Sequence, residues 1–161
     1  MVDIQTVSIA IASAGVFLAA IYYILQLRHQ SKVRQSDLLM RMHLAFSSKE
    51  RSEAALRMLS TNYKNYDEFL EKYGNPAAEG PVQTGFFMMG MFFEGLGVLT
   101  KRKLADIGLV ADLFFVGLFW EKFKPLAESL RKQMNNPHVW EWFEYLANEE
   151  KKYYQQASGK A

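Results

Sequence analysis

The hydrophobic pattern divides this chain into three stretches. From Ile4 to Leu27 there are 24 positions without a charged side chain. From Arg28 to Pro81 apolar and polar positions alternate at helical spacing, and from Val82 onward apolar residues crowd together again. A helix needs about 20 apolar residues to cross the hydrocarbon core of a bilayer, so the first stretch predicts a transmembrane helix over Val7 to Leu27. A cleaved signal peptide would carry a basic start and a shorter apolar run, whereas Asp3 is the charged residue ahead of this one. Arg28, Lys32, Arg34 and Arg41 follow the span directly. Positive residues stay on the cytoplasmic side, which places the span in the cytoplasmic (inner) membrane with the N-terminus outside and residue 28 onward in the cytoplasm. Ala10 and Ala14, and Gly15 and Ala19, stand four apart, the spacing at which small faces admit a second helix.

After Leu27 neither glycine nor proline occurs until Gly74. Leu39, Met42 and Phe46 fall at i, i+3 and i+7, which extends the first helix to near Phe46. "SSKE" reads as a break and restart, with Ser47 as cap and Glu50 three residues on. "ERSEAALRMLS" then predicts a short amphipathic helix with Ala55, Leu56 and Leu59 inward. A further helix opens near Asn65 and closes at Gly74. "GNPAAEGP" is the clearest loop. Beyond it come an apolar helix over Val82 to Thr100, a basic "KRK", and a helix started by Asp106 with Pro125 as a kink or restart. Asn136-Pro137 opens a last helix whose apolar face holds Val139, Trp142, Phe143 and Leu146. No strand pattern of any length occurs. The expected fold is all-α: a membrane anchor over 1–27, a helical domain over 28–156 and a frayed tail over 157–161.

The stretch "GFFMMGMFFEGLGVLTKRK" competes for the membrane. Val82 to Thr100 and Leu104 to Trp120 have the length of a hairpin. Charge opposes it. Glu94, Asp106 and Asp112 would each cost about 2 to 3 kcal/mol or more near a bilayer centre, and Lys101 to Lys103 would emerge on the wrong side. The expectation is a core helix. Gly85, Gly90 and Gly95 then serve close helix approach, while Gly95 and Gly97 could instead merely loosen a helix end. Glu94 is either a buried, paired acid or the exposed side of an amphipathic helix.

Composition narrows the chemistry. Phe (12), Tyr (8) and Met (8) are abundant and Pro (4) scarce, as suits bulky helix packing. The absence of cysteine removes disulfides, thiolate catalysis and iron–sulfur or zinc–cysteine sites. His29, His43 and His138 stand in no ligand spacing, so no metal and no cofactor is expected. Paired acids such as Glu149/Glu150 read as solvated helix surface. The net charge of +2 gives no nucleic-acid signature, and the basic residues from Arg28 to Arg57 suit anionic lipid headgroups beside a span. Trp140 and Trp142 are two apart and cannot share a helix face, so Trp142 is assigned to the core and Trp140 to an interaction surface.

"FFEGLGVLTKRKL", "LVADLF", "FWEKFKP" and "WFEYLA", in that order, resemble an uncharacterised family of bacterial and archaeal helical proteins. The resemblance covers roughly residues 28 to 150. It implies one N-terminal span followed by a cytoplasmic α-helical domain of unknown function, with Glu94, Trp120, Pro125 and Trp142 as packing positions. The functional expectation is a non-enzymatic, single-span membrane protein. Its partners are the lipid bilayer and a protein on which the helical domain docks, as an accessory subunit of a membrane complex. Arg28, Lys32 and Arg34 mark the membrane boundary; Glu94, Phe93 and Trp140 are the candidate interaction or pocket residues. The alternative is a small-molecule or lipid-binding domain, enzymatic or not, with a pocket among Phe86, Met89, Phe93 and Phe115 around Glu94.

Overall fold

The computed structural model describes residues 3–159, and among them it holds seven helices and no strand. These are α1 (Ile4–Phe46), α2 (Lys49–Ser60), α3 (Tyr66–Tyr73), α4 (Pro81–Lys101), α5 (Ile107–Phe114), α6 (Val116–Gln133) and α7 (Glu141–Ser158). The all-α expectation holds. Contacts divide the chain into a unit ending at Asp37 and a unit beginning at Leu38. In the first, every residue from Asp3 to Arg34 is exposed.

The second unit is organised around α4, which packs most extensively against α2 and α7. Its inward face repeats at helical spacing: Phe86, Met89, Phe93 and Leu96 are all buried. Phe69, Phe93, Phe114 and Phe143 are fully buried, and Phe93 stacks on Phe143 at 4.8 Å between ring centres. Each such ring contributes about 1.5–3 kcal/mol by leaving water, and ring pairs add about 0.5–1.5 kcal/mol. The C-terminal turns of α1 join this core through Leu39 and Phe46, the latter edge-on to Phe114 at 5.7 Å.

Local chemistry sets most boundaries. Asn65 accepts from the Glu68 N–H at 2.9 Å and Asp106 from the Leu109 N–H at 3.1 Å, each capping a helix start. Gly74, at φ 82°, ends α3 as expected, and Pro81 occupies the first turn of α4. Five expectations are corrected. Ser48, not Ser47, caps α2, accepting from the Arg51 N–H. The inward face of α2 is Ala54, Ala55 and Met58, set by what α4 covers, and Leu56 is left 67% exposed. Pro125 neither restarts nor divides α6, which is continuous around it. Asn136-Pro137 opens a turn, so α7 begins at Glu141 and Val139 lies outside it. The expected tail is helical as far as Ser158, while Lys160 and Ala161 lie outside the described residues.

The glycines of α4 sort by what they face. A Cβ on Gly85 would stand 2.8 Å from the Ala54 carbonyl of α2, and one on Gly97 would collide with the Trp142 carbonyl of α7. Gly95 faces open space, against expectation, and Gly97 is a packing position rather than a loosened end. Close approach at two levels is what lets α4 occupy the centre.

Candidate functional site

Two helices of this fold, α6 and α7, begin on a left-handed residue whose side chain provides no cap. α6 starts after Phe115 (φ 47°, ψ 48°) and α7 after Trp140 (φ 58°, ψ 32°). Both residues hold the left-handed conformation that bulky side chains avoid, and neither side chain caps its helix. Each uncapped start receives a carboxylate from a different helix. The Val116 and Gly117 N–H groups donate to Glu150 at 2.8 and 2.6 Å. The Phe143 N–H donates to Glu94 at 2.8 Å, and the Trp142 N–H supports the same carboxylate. A helix N-terminus carries partial positive charge and unsatisfied donors, so it is a natural partner for an acid.

Glu94 is thus paired, but with backbone rather than with a cation. It is half-buried, and that burial raises its pKa above the ordinary carboxylate value. The N–H groups of Phe143 and Trp142 work against the shift; Glu141 adds to it and Arg131 opposes it. Glu150, expected on a solvated surface, is only 5% exposed. It stands four residues after Leu146 and seven after Phe143, on the buried face of α7.

Arg131, at the end of α6, fixes the turn before α7. Its guanidinium donates to the carbonyls of Val139 (2.8 Å) and Trp140 (3.3 Å) and pairs with Glu144 at 2.6 Å. The Trp140 ring then meets Phe123 edge-on at 5.2 Å. Both tryptophans are partly buried: the Trp140 ring, assigned to a surface, packs against the core, while Trp142 sets its backbone against Gly97 and its ring against Tyr145 at 6.1 Å. Beside Trp140 lies an apolar cleft of about 180 Å³, open to solvent, walled by Phe86, Phe123, Leu126 and Leu130 and bordered by the loop at Pro76 and Ala77. Phe87, 62% exposed, stands at its edge.

A second hollow lies between α6 and α7. It is wide and open, lined by Trp120, Glu121, Lys124, Glu144, Glu150 and Lys151 among others. The pocket expected from sequence does not form as drawn. Met89 and Phe93 are fully buried in the core, whereas Phe115 is 66% exposed at the α5–α6 break. Phe93 is therefore a packing residue. Among the described residues no group of three His, Asp or Glu gathers as a metal site. His138 bonds Glu141 at 2.6 Å, and His43 lies against the Phe114 ring at 5.7 Å. Arg28, Lys32 and Arg34 are exposed on α1.

The order of segments, the helical domain and the N-terminal apolar helix converge on one family. The chain belongs to the DUF4760 family. That family is described as a domain of unknown function, and it matches residues 9–150. No curated protein and no solved structure matches the chain. The DUF4760 match begins inside the uncharged stretch, so it takes in more than the 28–150 region that carried the sequence resemblance. It also contains both capping acids, Glu94 and Glu150, and the Arg131–Trp140 turn. Of these residues, sequence reasoning singled out Glu94 and Trp140 and missed the roles of Glu150 and Arg131. The signal for Glu150 was present: an acid at i+4 from Leu146 and i+7 from Phe143 interrupts an apolar stripe. Arg131 carried no such signal, because its partners are backbone carbonyls of a turn.

Proposed function

We propose that this DUF4760 protein is a single-span protein of the cytoplasmic membrane, held by the N-terminal part of α1 with its N-terminus outside. On this reading its helical domain is cytoplasmic and serves as a non-enzymatic docking module, an accessory subunit of a membrane complex. One observation carries the anchor: none of the most apolar window of α1 is buried, against 44% of the corresponding window of α4. Val7, Ile9, Ile11, Val16, Phe17, Leu18 and Ile21 all stand exposed. Holding that surface in water costs on the order of 10 kcal/mol, which a bilayer removes. The exposed Arg28, Lys32 and Arg34 suit anionic headgroups at the inner face.

The chain has no cysteine, so single introduced cysteines report topology without background. Cysteines at positions 5, 80 and 102 should separate: position 5 labelled from outside, the other two only after the membrane is opened. Labelling of position 102 from outside would sink the single-span topology. Docking is tested separately, by mild solubilisation and mass analysis of what co-purifies. A monomer that emerges alone at native expression would count against the accessory role.

A further inference from the structure

We infer that the cleft beside Trp140 is a binding site for a small, uncharged aromatic molecule. Its walls are apolar: Phe86, Phe123, Leu126, Leu130 and Trp140, with Ala77 on the loop side. The polar side chain at its edge, Gln83, is already engaged with the Tyr73 carbonyl. The cleft opens to solvent past Phe87, and its apolar walls offer water few polar partners, so an apolar occupant displaces it favourably. The volume of about 180 Å³ is close to the roughly 150 Å³ apolar cavity that suffices for benzene. It is too small for a lipid chain of ordinary length or a fused polycycle.

The walls select ring chemistry and exclude charge. Phe123 meets Trp140 at 82° and lies 5.9 Å from Phe86, so one wall offers a ring edge where another offers a face. Aromatic guests favour offset and edge-to-face contact with such surfaces. No lining residue is charged, so an ionised ligand would lose its hydration without compensation. The cleft is also held open. Trp140 keeps a left-handed backbone through Arg131, which grips its carbonyl, and through Glu94, which fixes the start of α7. Gly90 leaves room for the rings, since a Cβ there would stand 2.8 Å from Phe123. Backbone strain of this kind marks positions where the surrounding structure enforces a geometry. Here it preorganises a wall, which lowers the cost of binding.

The test uses the full chain in detergent micelles, equilibrated through the gas phase with benzene at fixed activity so that micelle partitioning does not alter its supply. The indole N–H resonances of the three tryptophans are followed, with Trp140 assigned from its loss in Trp140→Phe. The Trp140 resonance should shift saturably while that of Trp142, which does not line the cleft, stays in place. Ala77→Phe places a ring in the cleft from the exposed loop and should weaken binding more than about tenfold with the thermal midpoint unchanged; Leu130→Phe substitutes if that variant does not fold. Benzoate at matched concentration should produce no saturable shift. The assignment is overturned if Trp140 does not shift, if Trp142 shifts equally, or if the filled variant binds as the parent does.

Discussion

Among the described residues two helices are long and apolar enough to cross a membrane, and they solve the problem of apolar surface in opposite ways. α1 keeps its uncharged stretch bare, with nothing in the fold covering it. α4 carries glycines where neighbours must come close, one acid where a helix begins, and rings on the face turned inward. Mean hydropathy is 2.1 in the most apolar window of α1 and 1.3 in that of α4. Punctuation separates them further: an interrupting Glu and closely approached glycines belong to the helix that has protein partners, and on the reading proposed above the clean run belongs to one whose partner is lipid.

The comparison can be broken at several points. The largest effect is expected from Phe93→Ala in α4, which leaves a cavity beside Phe143 and should lower stability by about 3–5 kcal/mol in chemical denaturation. The corresponding change in α1, Phe17→Ala, should leave the unfolding of the helical domain unmoved. Next comes a charge in the span. Leu18→Arg carries an insertion cost of about 2.5–3.5 kcal/mol and should shift protein from the membrane to the soluble fraction, read by fractionation. An unchanged membrane fraction would remove the distinction between the two helices.

Glycine substitutions sharpen the contrast within α4. Gly97→Ala drives a methyl into the Trp142 carbonyl and should cost about 1–3 kcal/mol. Gly95→Ala meets open space and should stabilise by up to about 1 kcal/mol through helix propensity. Equal effects at the two positions would mean that α4 and α7 do not touch as described.

The smallest effect concerns Glu94. Removing the cap with Glu94→Ala should cost about 0.5–2 kcal/mol, while Glu94→Gln keeps an acceptor oxygen and should cost less. The two differ from the parent in pH dependence. Burial raises the folded pKa of Glu94 above its ordinary value of 4.5, so the folded state holds this proton more tightly than the unfolded chain. Its contribution is complete below about 4.5 and is lost as pH rises through the folded value. Glu94→Gln should flatten that fall in a series of denaturation midpoints; an unaltered slope would show that another group is responsible.

Much of the architecture was legible. Asn65, Gly74, Pro81 and Asp106 mark helix ends by chemistry confined to a few neighbouring residues, and each acts where its type predicts. The start of α6, which went unread, and that of α7, which was misplaced, share a cause. α6 and α7 begin on Phe115 and Trp140, residues with no capping side chain, because the acids that satisfy their first N–H groups arrive from elsewhere. Phe115 could not be read as a break, since the reason for it sits more than 30 residues away.

Sequence alone determined the all-α class, the uncharged N-terminal helix with its basic flank, and the assignment of the 82–100 stretch to a core. Those follow from local properties: hydropathy run length, charge and periodicity act within a few turns of the chain. Tertiary structure decided what Glu94 is paired with, that Glu150 does the same work for α6, and which tryptophan walls the cleft. Each of these depends on a contact between helices distant in sequence, where burial removes water and leaves a backbone N–H, a carbonyl or a ring as the partner that remains.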